Sequence, residues 1–184
     1  GKPAPTAASA VSPAAAPVGR TNACDGGGGA AVAKEPSGRV VDGIQQLMSQ
    51  LLKGLRDIDK RLSAKELEGK DRRIFEHPPY FDSDDDEWEE SFQLYKDAIR
   101  EPMWIQRIEE NFASGAYARS LPGWQAMCRD ARLIGTNCMQ YNGMDDSYLP
   151  EFVAVGQRFG KDTDSLISHL AAQLQALLFH AGAE

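Results

Sequence analysis

From Val41 onward the apolar residues recur at three- and four-residue steps: Ile44, Leu47, Met48, Leu51, Leu52, Leu55, Ile58 and Leu62. This spacing lines one face of a 3.6-residue helix and predicts a core-facing helix from an Asp42 N-cap to about Leu62. Residues 63–101 break the pattern. Within them, "EHPPYFDSDDDEWEE" holds two prolines and then a dense acidic run from Asp82 to Glu90, whose like charges oppose packing. A long, ordered but irregular connection is expected there, with short helical turns around 88–96. Connections beyond ~15 residues in a compact domain usually serve a function or stay disordered.

The helical period returns after Pro102 and Met103. "WIQRIEENF" places Trp104, Ile105, Ile108 and Phe112 on a second helix. A third, from about Trp124 to Tyr141, carries Trp124, Met127, Cys128, Ala131, Ile134, Cys138 and Tyr141 on one face. Pro150 suits the first turn of a fourth, whose stripe is Phe152, Val153, Val155 and Phe159. Gly160 reads as an interruption, after which Asp162 or Thr163 caps residues 162–181, an extra helix or an extension of the last one. No segment reads as a strand. The expected fold is all-α, with four main helices and an unusually long first connection.

Composition adds the boundaries. Residues 1–38 are mostly Ala, Pro, Gly and Ser, too poor in large apolar side chains to offset chain entropy, so a disordered tail is expected before a folded domain at 39–184. The net charge of −7 argues against direct nucleic-acid binding, which needs a basic stripe, and favours basic partners. No apolar run approaches the ~18 residues of a membrane span, and the N-terminus lacks the apolar core of a signal peptide. A soluble intracellular monomer is expected. Cys24, Cys128 and Cys138 form no CxxC pair and read as reduced thiols.

Catalytic and metal-binding patterns are missing. His77, His169 and His180 belong to no HExxH, and no GxSxG occurs. The run Gly26–Gly29 is not followed by GK[ST], and "GQRFGKDT" at 156–163 has the wrong glycine spacing, with Asp162 where a Walker loop needs Ser or Thr. Asp82, Asp84 and Asp86 match the first three ligand positions of an EF-hand, but Glu87 stands at its turn glycine and Gln93 at its bidentate Glu. Neither metal, cofactor nor enzymatic activity is expected.

One stretch, "DARLIGTNCMQYNGMDD" at 130–146, ends in a side chain that its helix does not need. Asn142 lies where the apolar face runs out, before Gly143 and two aspartates. It could cap the helix, since Asn tolerates left-handed backbone and glycine follows, or it could be presented to a ligand.

Neighbouring motifs bear on that choice. Phe75 and Pro78 form an aromatic-x-x-Pro segment in the long connection, Tyr95 stands seven residues before Pro102-Met103, and Asp130, Arg132, Leu133, Ile134, Asn137, Cys138, Tyr141 and Asn142 follow in order. This combination, over roughly residues 42–165, resembles the bromodomain, a left-handed four-helix bundle that reads acetylated lysine. The resemblance implies that Asn142 donates its amide to the acetyl carbonyl and that Tyr95 holds a water reaching the same oxygen. Phe75, Pro78, Pro79 and Tyr141 would line the cavity, with Tyr148 at its mouth. It also implies a nuclear, non-catalytic reader of acetylated histone tails or other acetylated basic peptides, working with other chromatin proteins. Pro79 stands where the family usually has Val, Trp104 where Asp is common, and Arg72 or Arg73 where a Trp is usual. An alternative is a bromodomain-fold scaffold with a weakened pocket, acting through protein contacts such as 162–181.

Overall fold

The computed structural model describes residues 38–66, 73–79, 88–144 and 149–182, all within the unit Glu35–Glu184. Among the described residues five helices follow one another: α1 (Gly38–Glu66), α2 (Trp88–Ala98), α3 (Ile105–Ala113), α4 (Leu121–Asn142) and α5 (Pro150–Gly182). Among the described residues there is no strand. α5 packs along both α1 and α4, and α3 closes against α1 and α4. These four helices form the bundle, while α2 lies within the long first connection. The fully buried Met48, Leu51, Leu55, Ile105, Ile108, Met127 and Phe159 fill the core. The expected tail lies outside the described residues, except Gly38, which instead opens α1.

Several boundaries differ from the sequence reading. Asp42 does not cap α1, because the helix starts four residues earlier. α2 is a full 11-residue helix rather than short turns. Glu89 and Glu90 in its first turn complement the helix dipole, Gln93 Nε2 donates to Asp97 Oδ1 at 2.7 Å, and Tyr95 and Ile99 are buried. α4 begins at Leu121, since the Ser120 hydroxyl accepts from Gly123 N and Pro122 suits a first turn.

Gly160 does not interrupt α5. A Cβ at Gly135 of α4 would come within 2.9 Å of Gly156 O and 3.1 Å of Gly160 N, and one at Gly156 within 3.0 Å of Gly135 O, so Gly135 and Gly156 let the two backbones meet. Neither Asp162 nor Thr163 is a cap: Asp162 pairs with Arg61 of α1, and Thr163 is buried mid-helix. Residues 162–181 continue α5, and Leu166, Ile167, Leu170, Leu174 and Leu177 pack them onto the core beside α1. None of the described helices is long and apolar enough to cross a membrane.

Candidate functional site

The last two turns of α4 hold the end of α2 in place. Asn137, 4% exposed, donates from Nδ2 to Glu101 O at 2.9 Å, and Gln140 donates to Ala98 O at 3.3 Å. Residues three apart share a helix face, so these two amides together fasten the α2–α3 turn to α4. Asn137 also hydrogen-bonds the side chain of Tyr95, which is 3% exposed. The Tyr95 ring meets that of Tyr141 edge-on at 5.1 Å, and Phe92 lies between Tyr95 and Trp104. Burial pushes the Tyr95 hydroxyl up to about 12, so it stays neutral and able both to donate and to accept.

Asn142 is half-buried at the end of α4. Its Nδ2 donates to Cys138 O at 2.8 Å, which fixes the orientation of the amide. An amide has two hydrogens, and among the described residues the second is used only in a 3.6 Å approach to Cys138 Sγ. Its backbone carbonyl accepts from Leu149 N, closing the segment between α4 and α5. The helix does not end in left-handed backbone: Gly143 has φ −94°, ψ 0°. Glycine is needed there because a Cβ would sit 2.7 Å from Met139 O. Burial raises the Cys138 thiol to about 11, so it remains protonated and donates to Phe152 O of α5.

Residues 73–79, where the resemblance puts the opposite wall of the pocket, are held differently. They form no helix, yet Phe75 is only 5% exposed and its ring lies 4.3 Å from that of Phe159. The backbone is held from both sides. Ile105 N and Gln106 N of α3 donate to Phe75 O and Glu76 O. On α1, Asp59 Oδ1 accepts from Ile74 N, Phe75 N and the Ser63 hydroxyl. Arg56 bridges Glu76 and Glu109, and His77 Nδ1 meets Gln106 Oε1 at 3.0 Å. Pro78 and Pro79 follow, both half-buried. Asp59 is fully buried, and that burial raises its pKa against the hydrogen bonds from Ser63 and Phe75.

The structure thus brings the Tyr95 and Tyr141 rings into contact at the α4 end, with Asn142 the next residue of that helix, and holds Phe75 between α1 and α3, with Pro78 and Pro79 following it. Tyr148, Arg72 and most of the acidic run lie outside the described residues; Arg73 is half-buried. The sequence reading missed Asp59 and Ser63. Their signal was present: two polar residues four apart on the face bearing Leu55 and Leu62. A groove of about 310 Å³, lined by Gln45, Phe112, Gly115, Tyr117 and Arg119, sits near the start of α4 and includes no expected site residue. Among the described residues no His, Cys, Asp and Glu cluster could hold a metal ion.

Comparison with known families settles the assignment. The bromodomain family model matches residues 58–152, just over half of the chain. The chain belongs to the bromodomain family. The resemblance carried by Phe75, Tyr95 and the Asn137–Asn142 run was therefore sound. Bromodomains are acetyl-lysine recognition modules and generally non-catalytic. The matched span runs from the end of α1, through α2, α3 and α4, to the first turn of α5. No curated protein and no solved structure matched the chain.

Proposed function

We propose that this bromodomain recognises acetylated lysine through Asn142, on histone tails, as a non-catalytic part of chromatin or transcription regulation in the nucleus. The supporting observation is the state of the Asn142 amide at the end of α4: Cys138 O accepts one hydrogen, and the other has only a 3.6 Å approach to Cys138 Sγ, a weak acceptor that an acetyl carbonyl can displace. Acetylation turns an ammonium into a neutral amide on an apolar stem. A neutral hydrogen bond adds only about 0.5–1.5 kcal/mol net, whereas burying an unpaired ammonium costs several kcal/mol. Selectivity then comes mainly from rejecting the charge. Asparagine suits this, since an aspartate would accept from the unmodified lysine. The net charge of −7 favours encounter with a basic tail.

The test is calorimetric titration of wild type and Asn142→Ala with acetylated and unmodified histone peptides. The proposal expects wild type to bind the acetylated peptide and not the unmodified one, and Asn142→Ala to bind the acetylated peptide about tenfold more weakly. Equal binding of both peptides, or undiminished binding by the variant, would overturn it. Absence of binding together with concentration-dependent self-association would instead favour a scaffold with a weakened pocket.

A further inference from the structure

Asp59 occupies a place where an apolar residue would be expected. It lies on the core face of α1, four residues from Leu55 and three from Leu62, and is fully buried. Its Oδ2 is buried without a hydrogen-bond partner, which is unfavourable for any polar atom. A leucine would fit the stripe without that cost. The other oxygen shows what the carboxyl does. Oδ1 takes Ile74 N at 3.1 Å, Phe75 N at 3.2 Å and Ser63 Oγ at 2.9 Å. Ser63 Oγ accepts from Ile74 N at 3.0 Å as well. Two consecutive backbone N–H groups of the wall therefore face α1, where water cannot serve them, and both need a buried acceptor.

We propose that Asp59, with Ser63 beside it, is the positioning residue for the acetyl-lysine pocket: it sets where the Phe75–Pro79 wall stands, and so sets affinity. This rests on the acetyl-lysine reading above. The other supports cannot replace it. The α3 amides hold Phe75 O and Glu76 O, the carbonyl side of the segment, and Phe159 holds only the ring. Without Asp59, Ile74 N retains Ser63, but Phe75 N loses its acceptor. The segment must then turn that N–H toward water, and Pro78 and Pro79, three and four residues on, move with it.

The experiment measures acetylated-peptide binding by wild type, Asp59→Ala, Asp59→Asn and Ser63→Ala, at a temperature where melting curves show each fully folded. Amide hydrogen exchange of Ile74 and Phe75 is followed in parallel. Asp59→Ala is expected to bind roughly tenfold more weakly, the scale of one lost buried hydrogen bond, with fast exchange at Phe75. Asp59→Asn keeps an acceptor at Oδ1 and should restore binding to within about threefold. Ser63→Ala removes one of two acceptors for Ile74 N and should fall between them; it also serves if Asp59→Ala does not fold. Loss of stability alone would lower the melting temperature without changing the affinity of folded protein. Wild-type affinity in folded Asp59→Ala, or in Ser63→Ala with unchanged exchange, would overturn the positioning role and leave the function intact. No binding by wild type would overturn the acetyl-lysine reading itself, and with it this role.

Discussion

Tyr95, Tyr141 and Asn142 stand on regular helix, whereas Phe75, Pro78 and Pro79 stand on a segment with no helical hydrogen bonds. The first wall inherits its geometry from α2 and α4, joined by two side-chain amides, Asn137 and Gln140. The second is positioned by groups distant in sequence: Asp59 and Ser63 from α1, the first amides of α3, and Phe159 from α5. A helix supplies its own backbone partners, so a helical wall needs few polar anchors. An irregular wall must find a partner for every buried N–H and C=O, and those partners are buried side chains whose loss is costly.

That contrast can be broken at either wall. Phe159→Ala should have the largest effect. It empties a fully buried site and removes the ring under Phe75, costing about 3–5 kcal/mol of stability; chemical denaturation measures the loss, and Phe75 should become the more exchange-labile wall. Asn137→Ala should cost about 1–3 kcal/mol, because the Glu101 carbonyl loses its donor. The same variant frees Tyr95, so near-ultraviolet circular dichroism should report a loosened tyrosine while Ile74 and Phe75 amides stay protected.

A smaller effect separates the walls by pH. Burial raises the Asp59 carboxyl above its ordinary 3.8, so folding favours its protonated form. That contribution is complete below 3.8, and it is lost as pH rises through the elevated folded value. The informative quantity is the difference between wild type and Asp59→Asn, in which every contribution common to the two proteins cancels. Melting curves should show wild type gaining on the variant as pH falls. The smallest effect belongs to Asn142→Ala, which loses one half-buried bond to its own helix; it should cost under about 1 kcal/mol of stability yet weaken acetyl-lysine binding about tenfold. A large loss of stability there would make Asn142 a structural residue first.

The sequence revealed the helical wall far better than the irregular one. Period placed α3 and most of α4, because a helical stripe follows from local geometry, while the bromodomain resemblance, not period, picked out Tyr95 and Asn142. The second wall depends on contacts between residues 11 to 16 apart, such as Ser63 with Ile74 and Asp59 with Phe75, and no local period encodes them. Glycines misled in the same way. Gly160 looked like a break, yet α5 runs through it, and its backbone packs against Gly135, whose missing Cβ lets the two helices meet; only the packed pair shows this. Asn142 was open to reading as a left-handed cap, but α4 ends at Gly143 in right-handed backbone, where a Cβ would meet the Met139 carbonyl.

The central claim is that Asn142 presents an amide hydrogen rather than merely finishing α4. The direct measurement is the pair of Asn142 side-chain NH₂ resonances, followed by NMR while acetylated peptide is added. One hydrogen, bonded to Cys138 O, should hold nearly constant, while the other shifts on binding and does not respond to the unmodified peptide. Saturable binding of the acetylated peptide with neither resonance moving would contradict the claim.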